Sequence, residues 1–324
     1  MRALTMIAPG GAAESEVREV PAPAPGPGQV SIDVQFAGLN FMDVMARRGD
    51  PGYATSWPYA PGLEVAGTIR ELGDGVQGLD VGQRVAAVTP GGGLAEVAVA
   101  AAGVTVPVPD GVDLRAAAAA PLGVATAMLL LDGFAPGASI LVHSAGGGVG
   151  GLVAELVPLL GGGQLLGSVG RPDKIESALK RGYEAVFARD DSLVPGVRAA
   201  TGGRGVDLIL DPLGTSALED DLAVVAAGGR IVLFGNAGGG TPAPLPPAGR
   251  LIGGNVTLAG FSHRGLVAAA PGRVAGALRR SLSLLASGEL AVAVTELASL
   301  ADVPAVHDLM AAGRGAGKYV VRVS

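Results

Sequence analysis

The stretch Ser139-Ile140-Leu141-Val142-His143-Ser144-Ala145-Gly146-Gly147-Gly148-Val149-Gly150 decides the architecture of this chain. An apolar run of strand character enters a glycine cluster and leaves it as Leu152-Val153-Ala154-Glu155-Leu156, which has helical character. Strand, loop and helix in that order bring backbone without Cβ atoms up to a pyrophosphate, under the unpaired N–H groups and positive dipole end of a helix. The expected ligand is a dinucleotide, held at Ser144, Gly147, Gly148, Val149 and Gly150. The alternative is a plain turn in a chain with 54 glycines. Against it, further β-type runs follow at 164–169, 185–188, 206–211, 229–234 and 255–260. With 139–143 they make six strands alternating with helix-like segments, the number in a full doubly wound parallel sheet. Pro158 and Gly161 to Gly163 predict a short or kinked helix after the loop.

The chain before the loop has a different texture. Strands are expected at 2–7, 29–37 (with the alternation VSIDVQF), 64–72, 84–88 and 95–99, separated by turns such as Gly73-Asp74-Gly75. Short strands at this spacing describe a small barrel-like β domain. Residues 113–131 are rich in alanine and leucine and read as helical. After the parallel sheet, a helix at 272–287 and strands at 292–296 and 318–323 are expected to complete the first domain. The expected organisation is therefore 1–122 with 265–324 as one domain and 123–264 as the other.

Composition narrows the function. The chain has 324 residues, 49% of them hydrophobic, enough for two cores. Its 23 basic residues form no block and are outnumbered by 29 acidic ones, so no nucleic acid is expected as a partner. The lack of any cysteine removes disulfides, thiolate-held zinc or iron–sulfur sites and thiol nucleophiles. The apolar run at 116–131 is broken by Pro121 and Gly123 and falls short of the ~20 residues needed to cross a bilayer. The opening residues carry no signal-peptide pattern, and a cytoplasmic location is expected.

In a doubly wound fold the second strand ends near the adenosine ribose, where an acidic side chain selects NAD and basic ones accept the 2′-phosphate of NADP. Here it ends in Val169-Gly170-Arg171-Pro172-Asp173-Lys174, and Arg189 follows the third strand. Arg171, Lys174 and Arg189 favour NADPH over NADH, with Asp173 set back behind a proline.

The motifs together resemble the quinone oxidoreductase (zeta-crystallin-like) family, a zinc-free branch of the medium-chain dehydrogenase/reductases. Val142 to Gly150 is similar to its VHAAAGGVG loop, Gly38 to Val44 to its GxNxxD segment, and Pro61 to Gly67 to its PGxExAG turn. Thr201 to Asp211, Gly228 to Asn236 and the closing Gly317-Lys318 continue the resemblance. It implies an α/β protein in which a GroES-like β-barrel catalytic domain from both chain ends accompanies a Rossmann domain, with NADPH in the interdomain cleft. Where zinc-dependent relatives carry metal ligands, this chain has Asn40, Leu63 and Leu122, which supply no zinc-ligating set, so no metal is expected.

The resemblance further implies that Asn40 faces the nicotinamide, its amide able to donate to a carbonyl oxygen, or else only stabilises a turn. It implies that Tyr53 stands near the substrate as proton donor, a phenol with an ordinary pKa near 10. Thr126, Asn236, Phe261 and Lys318 are implied cofactor contacts. The expected reaction is metal-free hydride transfer to a small-molecule quinone or enone. The alternatives are a polyketide-type enoyl-thioester reductase and an NADPH-binding structural or regulatory protein without turnover. Of the histidines, His143 reads as structural and His263 as a surface residue. The strand at 255–260 would be an edge of its sheet, and the resemblance implies that two copies pair such edges in a homodimer.

Overall fold

The computed structural model describes residues 1–54 and 56–324. They form two compact units, Met1–Thr126 with Leu266–Ser324, and Ala127–Gly265. The first unit opens with β1 (Arg2–Met6) and β2 (Ser15–Glu19), an antiparallel ribbon. Next come β3 (Gln29–Gly38), α1 (Phe41–Arg48), β4 (Glu64–Leu72), β5 (Arg84–Val88), β6 (Val97–Ala101) and β7 (Thr105–Pro107). The alternation in β3 has its expected effect: Val30, Ile32 and Val34 are buried while Asp33 and Gln35 point to solvent. β3 pairs antiparallel with β4 along most of its length and with β6 along its first half.

The stretch 113–131, read as helical, forms three helical pieces: α2 (Leu114–Ala117), a π turn (Ala120–Val124) and α3 (Ala125–Leu130). Pro121 cannot donate to a helical ladder. The turn closes instead through Val124 N to Ala119 O, 3.1 Å.

The second unit holds β8 (Ile140–His143), α4 (Gly148–Leu159), β9 (Leu165–Val169), α5 (Ile175–Leu179), β10 (Ala185–Ala188), α6 (Leu193–Ala200), β11 (Val206–Asp211), α7 (Leu218–Val224), β12 (Val225–Leu233), α8 (Ala248–Gly254) and β13 (Thr257–Gly260). The six strands are parallel, in the order β10-β9-β8-β11-β12-β13. This is the doubly wound order, with its switch point between β8 and β11. Leu141, Leu166, Ile209 and Ile231, one from each central strand, are fully buried. Burying each contributes about 1.5–3 kcal/mol.

β12 starts earlier than expected, because its register with β11 jumps from Val206↔Val225 to Leu208↔Arg230 and Gly228 takes a left-handed φ of 81° in the bulge. Helix α4 is not shortened by Pro158. The proline falls in its last turn, and Leu160 N still reaches Leu156 O at 3.0 Å.

The chain continues through α9 (His263–Ala269) and α10 (Pro271–Ser287) to β14 (Val294–Leu297), α11 (Val303–Ala311) and β15 (Lys318–Arg322). β15 lies antiparallel to the end of β3 and parallel to β14, completing the seven-stranded sheet of the first unit.

Candidate active and cofactor sites

The glycine loop sits at the carboxyl end of β8. Ser144 adopts φ +59°, a left-handed conformation uncommon outside glycine, and its carbonyl accepts from Gly147 N at 2.8 Å. A Cβ at Gly150 would lie 2.7 Å from Ser144 O and 2.9 Å from Ala145 Cα, so the tight approach of loop and helix admits only glycine there. Helix geometry leaves the N–H groups of Gly148, Val149 and Gly150 without intrahelical acceptors. His143 anchors the loop from below. Its Nδ1 lies 2.5 Å from Ser168 Oγ and its Nε2 2.7 Å from Asp221 Oδ1, all buried, in keeping with a structural histidine. Beside it, burial and then the Asp221 charge raise the pKa of Asp211.

The three cations gather at the carboxyl ends of β9 and β10. Arg189 lies across Gly170: a Cβ there would sit 2.4 Å from Arg189 Nη2. Arg189 Nη1 is buried and has no hydrogen-bond partner. The Lys174 stem crosses the glycine loop, its Cδ 3.8 Å from where a Cβ of Gly146 would be. Burial and then the charge of Arg171, with Arg189 adding to it, lower the Lys174 pKa, so the three cations share one field. Arg171 is held by Asp173 through Nε to Oδ1 at 3.0 Å and Nη2 to Oδ2 at 2.9 Å. A glycine cradle under a helix N-terminus and an orphaned guanidinium donor fit a dinucleotide bearing a 2′-phosphate. Asn236 and Phe261 follow the carboxyl ends of β12 and β13. Asn236 Nδ2 closes its own loop on Gly240 O at 3.0 Å, and Phe261 N bonds Leu233 O at 2.8 Å. His263, the first residue of α9, is buried, correcting its reading as a surface residue.

In the first unit a buried carboxylate, Glu64, organises the candidate residues. One of its oxygens takes the Lys318 ammonium and Asn40 Nδ2 (3.0 Å); the other takes Leu122 N (2.8 Å) and Gly123 N (3.2 Å). The π turn therefore gives its freed donors to Glu64. Lys318 also donates to Leu39 O and Asn40 Oδ1, each at 2.8 Å. The Asn40 amide donates to Glu64 and to Gly38 O (3.3 Å), and the three donors of Lys318 are engaged by Glu64, Leu39 O and Asn40 Oδ1 inside this unit.

Sequence reading passed over Glu64 and Asp43. Asp43 is buried, accepts from Asn40 N and Gly62 N, and has its pKa pushed up to about 6, first by burial. Their signal was present in the sequence motifs, as acids inside otherwise apolar segments at the start of α1 and of β4. Thr126 is buried at the start of α3. Tyr53 is half-buried, and burial followed by the Asp50 charge raises its pKa, which keeps the phenol protonated at neutral pH.

Residues 26–110 match the family described as "Alcohol dehydrogenase GroES-like domain", and residues 148–283 the family described as "Zinc-binding dehydrogenase". The quinone oxidoreductase of Rattus norvegicus is 34% identical over 241 residues, covering 72% of this chain and 73% of the rat protein. The human quinone oxidoreductase is 32% identical over 244 residues, covering 74% of each chain. Among solved structures, Escherichia coli quinone oxidoreductase complexed with NADPH superimposes with a TM-score of 0.90 at 26% identity, covering 99% of this chain and 100% of that one. A GroES-like unit with a six-stranded Rossmann sheet defines a medium-chain dehydrogenase/reductase. Within that class, the chain belongs to the quinone oxidoreductase family.

Proposed function

We propose that the protein is an NADPH-dependent reductase that transfers hydride, without a metal, to quinones or to the activated double bond of α,β-unsaturated carbonyls. The observation that carries this reading is the orphaned Arg189 Nη1, buried over Gly170 beside Lys174 and Arg171. A buried donor without a partner is costly, and a 2′-phosphate would satisfy it. The nicotinamide of NADPH would supply the hydride. The N–H groups of Gly148, Val149 and Gly150 would hold the pyrophosphate; Ser144, Asn236, Phe261 and Thr126 remain as further cofactor contacts. Tyr53 is the proposed proton donor, its raised pKa keeping the proton in place until the acceptor oxygen gains charge. Glu64, Lys318 and Asn40 fix the wall of the catalytic unit. No helix among the described residues is long and apolar enough to cross a membrane; a cytoplasmic homodimer is part of the proposal.

The test is steady-state NADPH oxidation against panels of quinones, enones and enoyl thioesters, with NADH in parallel. Turnover of quinones or enones with NADPH preferred is the expected result. Turnover confined to enoyl thioesters would replace the substrate class. NADPH binding with no turnover on any panel would favour a cofactor-binding protein.

A further inference from the structure

The 2′-phosphate subsite contains an anion of its own. Arg171 and Asp173 flank Pro172, whose ring fixes the backbone between them at the head of a 3-10 turn, Pro172–Lys174. The carboxylate takes the guanidinium fork on both oxygens, at 3.0 and 2.9 Å, while the two side chains stay 50% and 61% exposed. The pair is thus formed in advance yet open to a ligand. The hydrogen bond from Arg171 also holds the Asp173 carboxyl below the ordinary range, so it is charged at neutral pH. Three cations against the Asp173 carboxylate keep this corner positive, the sign that a phosphate monoester of about −1.5 to −2 requires.

The geometry points to Asp173 as a specificity-determining residue: it competes with the 2′-phosphate for Arg171 and so sets how tightly the phosphorylated dinucleotide is held. The inference rests on the NADPH reading above. On binding, Arg171 exchanges a carboxylate for a phosphate, so only the difference between two charge-assisted pairs contributes to affinity. Without Asp173 the guanidinium has no internal partner, and a nearby like charge to the phosphate disappears. The residue thereby holds cofactor affinity below the limit its three cations permit, which favours release of the oxidised form after turnover.

The experiment is calorimetric titration of the native protein and of Asp173→Ala and Asp173→Asn with 2′-AMP, 5′-AMP, NADPH and NADH. Both substitutions are expected to tighten 2′-AMP and NADPH by about threefold to tenfold and to leave 5′-AMP and NADH within about twofold. Unchanged or weaker 2′-AMP binding by both variants would overturn the inference. So would loss of 5′-AMP and NADH affinity, which would make Asp173 an acceptor for the ribose hydroxyl. A native protein that prefers 5′-AMP to 2′-AMP and NADH to NADPH would sink the underlying NADPH reading instead, and is told apart by the native titrations alone.

Discussion

Arg189 combines two properties that separate binding from stability. Its Nη1 is buried without a partner, so in the free protein it contributes a desolvation cost and no bond. Arg189→Ala should therefore weaken NADPH by roughly 1.5–3 kcal/mol, about tenfold or more, while the melting temperature of the free protein holds or rises. Parallel fluorescence titration and calorimetric melting read the two effects, and a loss of stability together with unchanged NADPH affinity would count against the assignment. His307 gives a pH dependence. It is buried with both ring nitrogens unpartnered, and burial, then the Arg47 charge, push its pKa down to about 3. Below pH 6.5 the unfolded chain takes up a proton that the folded chain refuses, so this residue lowers stability as pH falls from 6.5 toward 3. His307→Leu should remove that contribution, about 1.4 kcal/mol per pH unit. Urea midpoints at pH 7.5 and 5.0 should thus differ less for the variant than for the native chain.

At the scale of elements, strands with an apolar run or clean alternation were legible. β4, β5, β10 and β11 lie at the bounds their sequences indicate, because each carries its burial pattern in its own residues. β2 was not legible: all but one residue of its SEVRE segment are exposed, and its extended form depends on pairing with β1. The glycine loop could be read from local order; Glu64 stood out within its own motif, but its partners Lys318 and Leu122 could not be assigned to it, since they come from distant parts of the chain. That cluster predicts a large cost for Lys318→Met. Breaking a buried ion pair from one side destabilises by about 3–5 kcal/mol. Most of it should return in the Glu64→Gln/Lys318→Met double variant, as a denaturant double-mutant cycle would measure. Equal, additive losses would mean that the two side chains do not depend on each other.

For the whole molecule, β13 ends the parallel sheet as an edge, and the segment before it exposes Leu245 and Ile252 at 64% and 74%. Open edges and exposed apolar side chains favour association. A dimer is expected in sedimentation equilibrium, shifted toward monomer or aggregate by Thr257→Pro, which removes a backbone donor on that edge. A native monomer at micromolar concentration would rule this pairing out. The Glu64–Lys318 bond also bears on the order in which the chain acquires structure. The two residues are 254 positions apart, and the second unit, Ala127–Gly265, lies wholly between them. During synthesis the nucleotide-binding unit is complete in sequence while β3 still lacks β15 and Glu64 still lacks its cation. On a ribosome, then, the parallel sheet can be finished while the β unit waits with an uncompensated acid in its interior, exposed to proteases and chaperones until Lys318 emerges.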